Sequence, residues 1–409
     1  MDNEKTVNVV GMRMSVPVWN NFRWEFAAAV LGCFFMVVST QFYIPLAIQH
    51  GASDLQVGIM TAAGPIGLLF APFWASIVEK GKPKPYVIVP NLAARVLVLL
   101  PAFYPEPWMF ILAILGVNML LGIQAPAYAG LMTQAYPAQL RGRIMGYIRM
   151  ASGTLMIPAV YWIGRWIDKS GGSGPLMLAA ATGFASILMY VGFKETIGIP
   201  AQQHGRKRAT MADQLKLMTG SRTLGVFFVV TMFAGFGNML GIPLYQIIQV
   251  NQLHLTNLEL SYIRMAYYLT LLLGYLAVGY VVDRYSPRRA MLCAMAFYVT
   301  VPLYYAVSGN YYAAIASGGA LGIADAFWDI GCLSYVFRIA PGREAVVFGL
   351  HLMLVGIRGT VAPLLSTALV QSLSYQTILY TAAALVSTAL LLLAFKGEKQ
   401  QNAGLQSSP

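Results

Sequence analysis

Twelve apolar runs, most of them separated by only a few polar residues, leave this chain few ways to fold. They lie at about 24–48, 55–79, 85–105, 107–133, 142–166, 174–193, 223–250, 257–282, 290–309, 311–338, 344–369 and 373–395. Each has the ~20 residues that an α-helix needs to cross the hydrocarbon of a bilayer. Backbone N–H and C=O groups in lipid must be satisfied within the segment, which selects helices. The alternating segments of about ten residues that mark a membrane β-barrel are not seen. Composition agrees with lipid as solvent: 58% of residues are hydrophobic and 10% charged, against about 25% charged in an average soluble domain. The expected fold class is an all-α membrane protein of twelve transmembrane helices.

The net charge of +12 would suggest nucleic acid as a partner for a soluble domain. Here the bases sit between the runs instead. With the amino terminus inside, twenty-one of the 27 Lys and Arg fall on inner segments. Arg165 and Lys169 fall outside, and Arg95, Arg149, Arg264 and Arg358 lie within runs. That asymmetry predicts a multi-pass protein of the cell (inner) membrane with both termini cytoplasmic. Its basic face would then meet membrane lipid, not nucleic acid. Cys33, Cys293 and Cys332 all lie in apolar runs without CxxC spacing, so neither a disulfide framework nor a metal site is expected.

The expected organisation is a polar tail over 1–22, a six-helix bundle over 23–193, a cytoplasmic linker over 194–222, a second bundle over 223–396 and a tail over 397–409. The opening residues lack the short apolar stretch and cleavage site of a signal peptide. Within the linker, 209–219 reads equally as a short amphipathic surface helix or as plain solvated chain.

The two halves echo each other in order. Tyr43-Ile44-Pro45-Leu46 parallels Gly241-Ile242-Pro243-Leu244, and Leu121-Gly122-Ile123 parallels Leu321-Gly322-Ile323. Arg141-Gly142-Arg143 parallels Pro341-Gly342-Arg343, and the segment from Glu79 to Lys84 parallels that from Asp283 to Arg288. Parallel repeats of six helices are a transporter plan with the substrate site near the membrane midplane.

From about Arg23 to Lys396 the chain resembles the major facilitator superfamily. The loop signature GxLaDRxGRK is matched by Gly279, Asp283, Arg284 and Arg288, with Ser286 and Pro287 departing from it. Glu79, Lys80 and Lys84 form a poorer copy in the first half, where Ala75 replaces the leading glycine. The segment YPAQLRGRIMG, Tyr136 to Gly146, is similar to the family's link into its fifth helix. The resemblance implies a monomer whose two bundles rock around a central site. It departs from the family's drug–proton antiporters, which usually carry a fourth-helix arginine. Asn118 stands near that place, and Gly153, Pro158 and Gly164 are scattered where a GPxxGG pattern is usual.

The loop charges have a physical use beyond topology. A helix amino terminus carries partial positive charge and free N–H groups. In the fold the resemblance implies, Asp283 would be held there, near Arg143 at the start of run five, only while the inner side is closed. Glu79 would act likewise near Arg343 at the start of run eleven. The gating set is therefore Asp283, Arg284, Arg288, Glu79, Lys80, Arg143 and Arg343. The alternative is that these charges merely follow the inside rule.

Ionisable groups within spans cost several kcal/mol unless paired or wet, so they are functional candidates. Asp325 and Asp329, four residues apart in run ten, share a helix face about 6 Å apart along the axis. Two close carboxylates in a low dielectric suit proton binding and release. Arg358 of run eleven lies at similar depth, and the resemblance makes runs ten and eleven neighbours, which implies a pair with Asp325. Structural roles are the alternative for all three, and the favoured role for Arg95. His351 reads as a packing residue or a proton relay. Candidate substrate contacts are Gln41, Tyr43, Asn118, Gln124, Arg149, Asn238, Tyr245, Arg264 and Trp328. Several lie on runs one, four, seven and ten, which the resemblance places at the cavity. Four arginines against two aspartates leave the interior positive, which matches an anionic or zwitterionic substrate or arginines that reach the interface.

No P-loop, HExxH or GxSxG motif occurs, so neither ATP-driven pumping nor an enzyme is expected, and no cofactor. The leading functional expectation is a secondary transporter working by alternating access, exporting a small amphipathic molecule in exchange for protons carried by Asp325 and Asp329 and tuned by Arg358. The second is uptake or facilitated diffusion of a small anion or polar nutrient. A transporter-like sensor is the third.

Overall fold

The computed structural model describes residues 6–9, 12–78, 81–194 and 221–396. Among these residues all twelve apolar runs are helical. They are α1 (Val16–Gln49), α2 (Asp54–Leu69, continued by Ala71–Val78), α3 (Pro83–Phe103), α4 (Pro107–Ala135), α5 (Ala138–Ser170) and α6 (Ser173–Gly192), then α7 (Arg222–Gln252), α8 (Asn257–Arg284), α9 (Pro287–Ser308), α10 (Tyr311–Ile339), α11 (Glu344–Leu369) and α12 (Tyr375–Lys396). Ten have a span long and apolar enough to cross a membrane. The other two are α2, which is broken near Phe70, and α5, which is 33 residues long but carries Arg141, Arg143, Arg149 and Arg165. The stretch 209–219, read equally as a surface helix or as solvated chain, lies outside the described residues.

Local chemistry sets the helix starts. Thr256 and Glu259 form a reciprocal capping box at α8, Ser286 caps α9 ahead of Pro287, and Asn310 caps α10. These side chains satisfy N–H groups that the first turn leaves without partners. At α11, Glu344 accepts from the Gly342 N–H at 2.8 Å. Backbone N–H groups hold its carboxyl below the usual carboxylate range.

Contacts divide the chain into two compact units, Met1–Ala52 with Leu69–Arg206, and Ser53–Leu68 with Lys207–Pro409. In the second, α10 packs against α8 and α9, and α7 against α11 and α12. Small residues permit this approach, as in membrane helix pairs generally. A Cβ at Gly322 would fall 2.2 Å from the Tyr267 carbonyl oxygen, and one at Gly318 would fall 2.6 Å from that of Ile263. Thr270 Oγ1 donates to the Gly319 carbonyl at 2.8 Å, a bond between α8 and α10. The first piece of α2 belongs here by its contacts. Gly58 lies against Thr367 and Pro363 of α11, Pro65 lies against Gly359, and Tyr375 donates to Asp54 at 3.0 Å.

In the first unit, α1 packs on α5 and α6, and α3 on α4. The opening residues, read from sequence as a polar tail, contain two antiparallel strands, β1 (Thr6–Val9) and β2 (Met12–Ser15). Met12 and Met14 of β2 are buried in one apolar cluster with Leu131, Tyr136, Ile144 and Phe193. Alternation along a strand supplies that buried face, and a stretch of four residues is too short to register as such in the sequence.

The sequence repeat has a structural counterpart. Lys84, at the start of α3, donates to the carbonyls of Val191 and Phe193 at the end of α6, at 2.7 and 2.9 Å. Arg288, at the start of α9, donates to the carbonyls of Leu393 and Ala394 at the end of α12, at 2.9 and 2.7 Å. Each cation caps the last helix of its half, where the free carbonyls and the helix dipole favour positive charge.

Candidate functional site

The second unit encloses a cavity of about 360 Å³. It is walled by α7 (Asn238), α8 (Tyr267), α9 (Tyr298), α10 (Asp325, Trp328, Asp329) and α11 (His351, Arg358). The helix period carries Asp325 and Asp329 to one face, as their spacing predicts. Asp325 is half-buried and accepts from two phenols on neighbouring helices, Tyr298 at 2.6 Å and Tyr267 at 2.8 Å. Asp329 is exposed and accepts from Tyr275 at 2.7 Å. Phenol donors hold carboxylate oxygens in place without neutralising them.

Arg358 is 3% exposed. It donates to the Thr231 carbonyl through Nη1, its Nε has no partner among the described residues, and its guanidinium lies on bare backbone at Gly235. The expected Asp325–Arg358 pair gives way to separate bonds: tyrosines reach the carboxylate first, and the guanidinium turns to α7. His351 lines the wall, its ring lying against Phe227, Trp328 and Phe348 and its Nε2 3.8 Å from the Cys332 Sγ.

A second polar group lies apart from the cavity residues. Two of the π-helical turns, Ile248–Gln252 and Tyr304–Ser308, bring Gln249 to Tyr305, with a 2.5 Å bond between them. Such turns re-aim side chains and recur at functional sites. Tyr245 stacks on Tyr305 at 4.8 Å, and Arg264 donates to Gln249 at 3.4 Å. Tyr245 and Arg264 therefore share a site, separate from Asn238 and Trp328.

The first unit carries the other predicted contacts. Tyr43 is buried edge-on to Phe110 at 5.1 Å. Gln41 donates to Thr40, and Asn118 donates to the Ile114 carbonyl of its own helix. Gln124 is half-buried and Arg149 exposed. Arg95 is packed over the Phe35 ring at 3.4 Å beside Gly183. Of the gating residues, Asp283, Arg284, Arg143 and Arg343 are exposed at the ends of their helices, and Arg288 caps α12. Glu79 and Lys80 lie outside the described residues.

The sequence reading passes over Glu25. It is 1% exposed on α1 and accepts from Tyr128 and from Tyr136, the latter at 2.6 Å. Its place at the edge of an apolar run reads as interfacial. The tyrosine partners of Asp325 and Asp329 also escape that reading, although Tyr267 and Tyr275, two helical turns apart, share a face of α8.

The profile of the Major Facilitator Superfamily matches residues 5–158 and 227–408. The chain belongs to this family. It is a multi-pass membrane transporter of small molecules and not an enzyme. Solved superfamily folds align over nearly its whole length. A nucleoside transporter, NupG in a mutant form, is 14% identical over 92% of this chain and 99% of its own, with a TM-score of 0.75. A bacterial homolog of the human lysosomal transporter Spinster is 13% identical over 93% and 95%, with a TM-score of 0.67. The human organic anion transporter MFSD10 (TETRAN) is 14% identical over 92% and 99%, with a TM-score of 0.64. No curated protein matches.

Proposed function

We propose that this superfamily transporter works as a proton-coupled exporter of a small amphipathic molecule, acting as a monomer in the cell (inner) membrane with both termini cytoplasmic. The carrying observation is the pair Asp325 and Asp329 in one cavity with Trp328, Tyr267 and Tyr298. Asp325 and Asp329 bind and release the proton, Trp328 and the tyrosines hold the substrate's apolar part, and Arg358 tunes the local charge. Reconstituted protein under an imposed pH gradient moves protons when substrate is present. Asp325→Asn or Asp329→Asn, with folding intact, abolishes that movement; transport unchanged in both variants sinks the coupling role.

A second reading is facilitated diffusion of a polar or anionic solute. Arg264, Gln249 and Tyr245 favour it, because a guanidinium and a buried phenol with no hydrogen-bond partner among the described residues suit such a solute. Flux indifferent to the pH gradient and lost in Arg264→Met selects this reading.

A further inference from the structure

Cys332 of α10 and His351 of α11 meet on the wall of the cavity, the thiol Sγ 3.8 Å from the imidazole Nε2. The transport reading uses neither. Both are almost wholly buried, at 3% and 4% exposure. A thiol bonds a ring nitrogen only weakly, and this contact leaves the other nitrogen, Nδ1, without a hydrogen-bond partner among the described residues. Arg358 lines the same cavity, is 3% exposed, and has an Nε equally without a partner. Two buried polar groups left unsatisfied beside one cavity call for an occupant.

The donors define its class. Thiolate sulfur and imidazole nitrogen together suit a thiophilic metal ion. With metal–sulfur and metal–nitrogen bonds of about 2.3 and 2.0 Å, a 3.8 Å separation sets an angle of about 120° at the ion. That is a trigonal angle, and it leaves the third position to the cavity. No third His, Cys, Asp or Glu completes a set among the described residues, so the four-ligand cage of structural zinc is not built here. Charge narrows the class further. A monovalent ion displaces the thiol proton to solvent: Cys–SH and M+ give Cys–S–M and H+, and the charge of the site is unchanged. A divalent ion would add a positive charge to a cavity that already holds a buried guanidinium, at high cost in a low dielectric. Nineteen residues separate the two donors along the chain, so no short metal motif announces them.

We propose that Cys332 and His351 form a binding site for one soft monovalent metal ion of the Cu+ class. Bound there, the ion joins α10 to α11 and stiffens one wall of the cavity.

The full-length protein with Cys33→Ala and Cys293→Ala keeps Cys332 as its one thiol. Purified without oxygen, it is titrated with Cu+ against a colorimetric Cu+ chelator, and with Ag+ and Zn2+ in parallel. One Cu+ or Ag+ binds per chain, and Zn2+ binds at least about a hundredfold more weakly. X-ray absorption at the copper edge shows sulfur and nitrogen neighbours together. Ag+ raises the melting temperature, because it binds the folded state, and slows amide exchange around Cys332 and His351. Cys332→Ser keeps a hydrogen-bonding group beside the ring but removes the sulfur; it and His351→Gln each lower Cu+ affinity at least about tenfold. Failure of both Cu+ and Ag+ to bind overturns the site, as does affinity undiminished in Cys332→Ser or tighter binding of Zn2+. A copper shell lacking either sulfur or nitrogen overturns it too, and that measurement needs no variant at His351, so the assignment can fail even where His351→Gln does not fold. Unchanged exchange in α10 and α11 with Ag+ bound overturns the joining of the two helices.

Discussion

Gly235 is where Arg358 finds room. A Cβ there would fall 2.2 Å from the guanidinium carbon, too close for any rotamer to absorb without moving the charge. Gly235→Ala should displace Arg358, reduce transport severalfold, and cost about 1–3 kcal/mol from overpacking, read as a lower melting temperature. Glu25 makes the opposite kind of test. Glu25→Leu would leave the Tyr128 and Tyr136 hydroxyls buried without an acceptor, a loss of about 1–3 kcal/mol for each unsatisfied group. Glu25→Gln keeps an acceptor and should cost much less. Equal melting temperatures for the Leu and Gln variants would remove the structural account of this cluster. At this scale the sequence is partly readable. Asp325 and Asp329 announce themselves by their spacing, because the helix period is local. Their phenol partners stand 58 and 27 residues from Asp325, and 54 from Asp329, so only packing brings them together.

Helix ends and helix contacts follow from a few residues each. Arg288 holds the final carbonyls of α12, and Lys84 does the same for α6. Charge-assisted bonds of this type contribute about 1.5–3 kcal/mol, discounted here because both cations are partly exposed. Arg288→Ala should therefore fray the end of α12, seen as faster amide exchange confined to its last turn, while Arg288→Lys restores most of the protection. Unchanged exchange in Arg288→Ala would return the residue to gating alone. At the α8–α10 contact, Gly322→Val must push the helices apart, since its Cβ would meet backbone rather than a flexible side chain. Reduced yield of folded protein, together with loss of binding in the adjoining cavity, is the expected result. The matching loop segments after the second helix of each half are visible as a repeat in the sequence. Their capping role is not, because it is a contact with the far end of the same half.

For the whole molecule, gating by the loop charges is a proposal that one substitution tests. Asp283 is exposed at the end of α8. Asp283→Asn should raise the labelling of cysteine probes from the cytoplasmic side; unaltered labelling would leave Asp283 to topology. The sequence by itself determined the solvent and the all-helical fold class, because lipid forbids unsatisfied backbone and therefore writes its demand into long apolar runs. It also set the asymmetry of positive charge between links, a property of chain order alone. The tertiary structure decided which charges share a cavity. Four arginines that sum to a positive interior along the chain go to separate environments, and the cavity keeps two aspartates with one arginine. Local electrostatics depends on distance in space, and distance in space between residues on different helices is not written in any local pattern of the sequence.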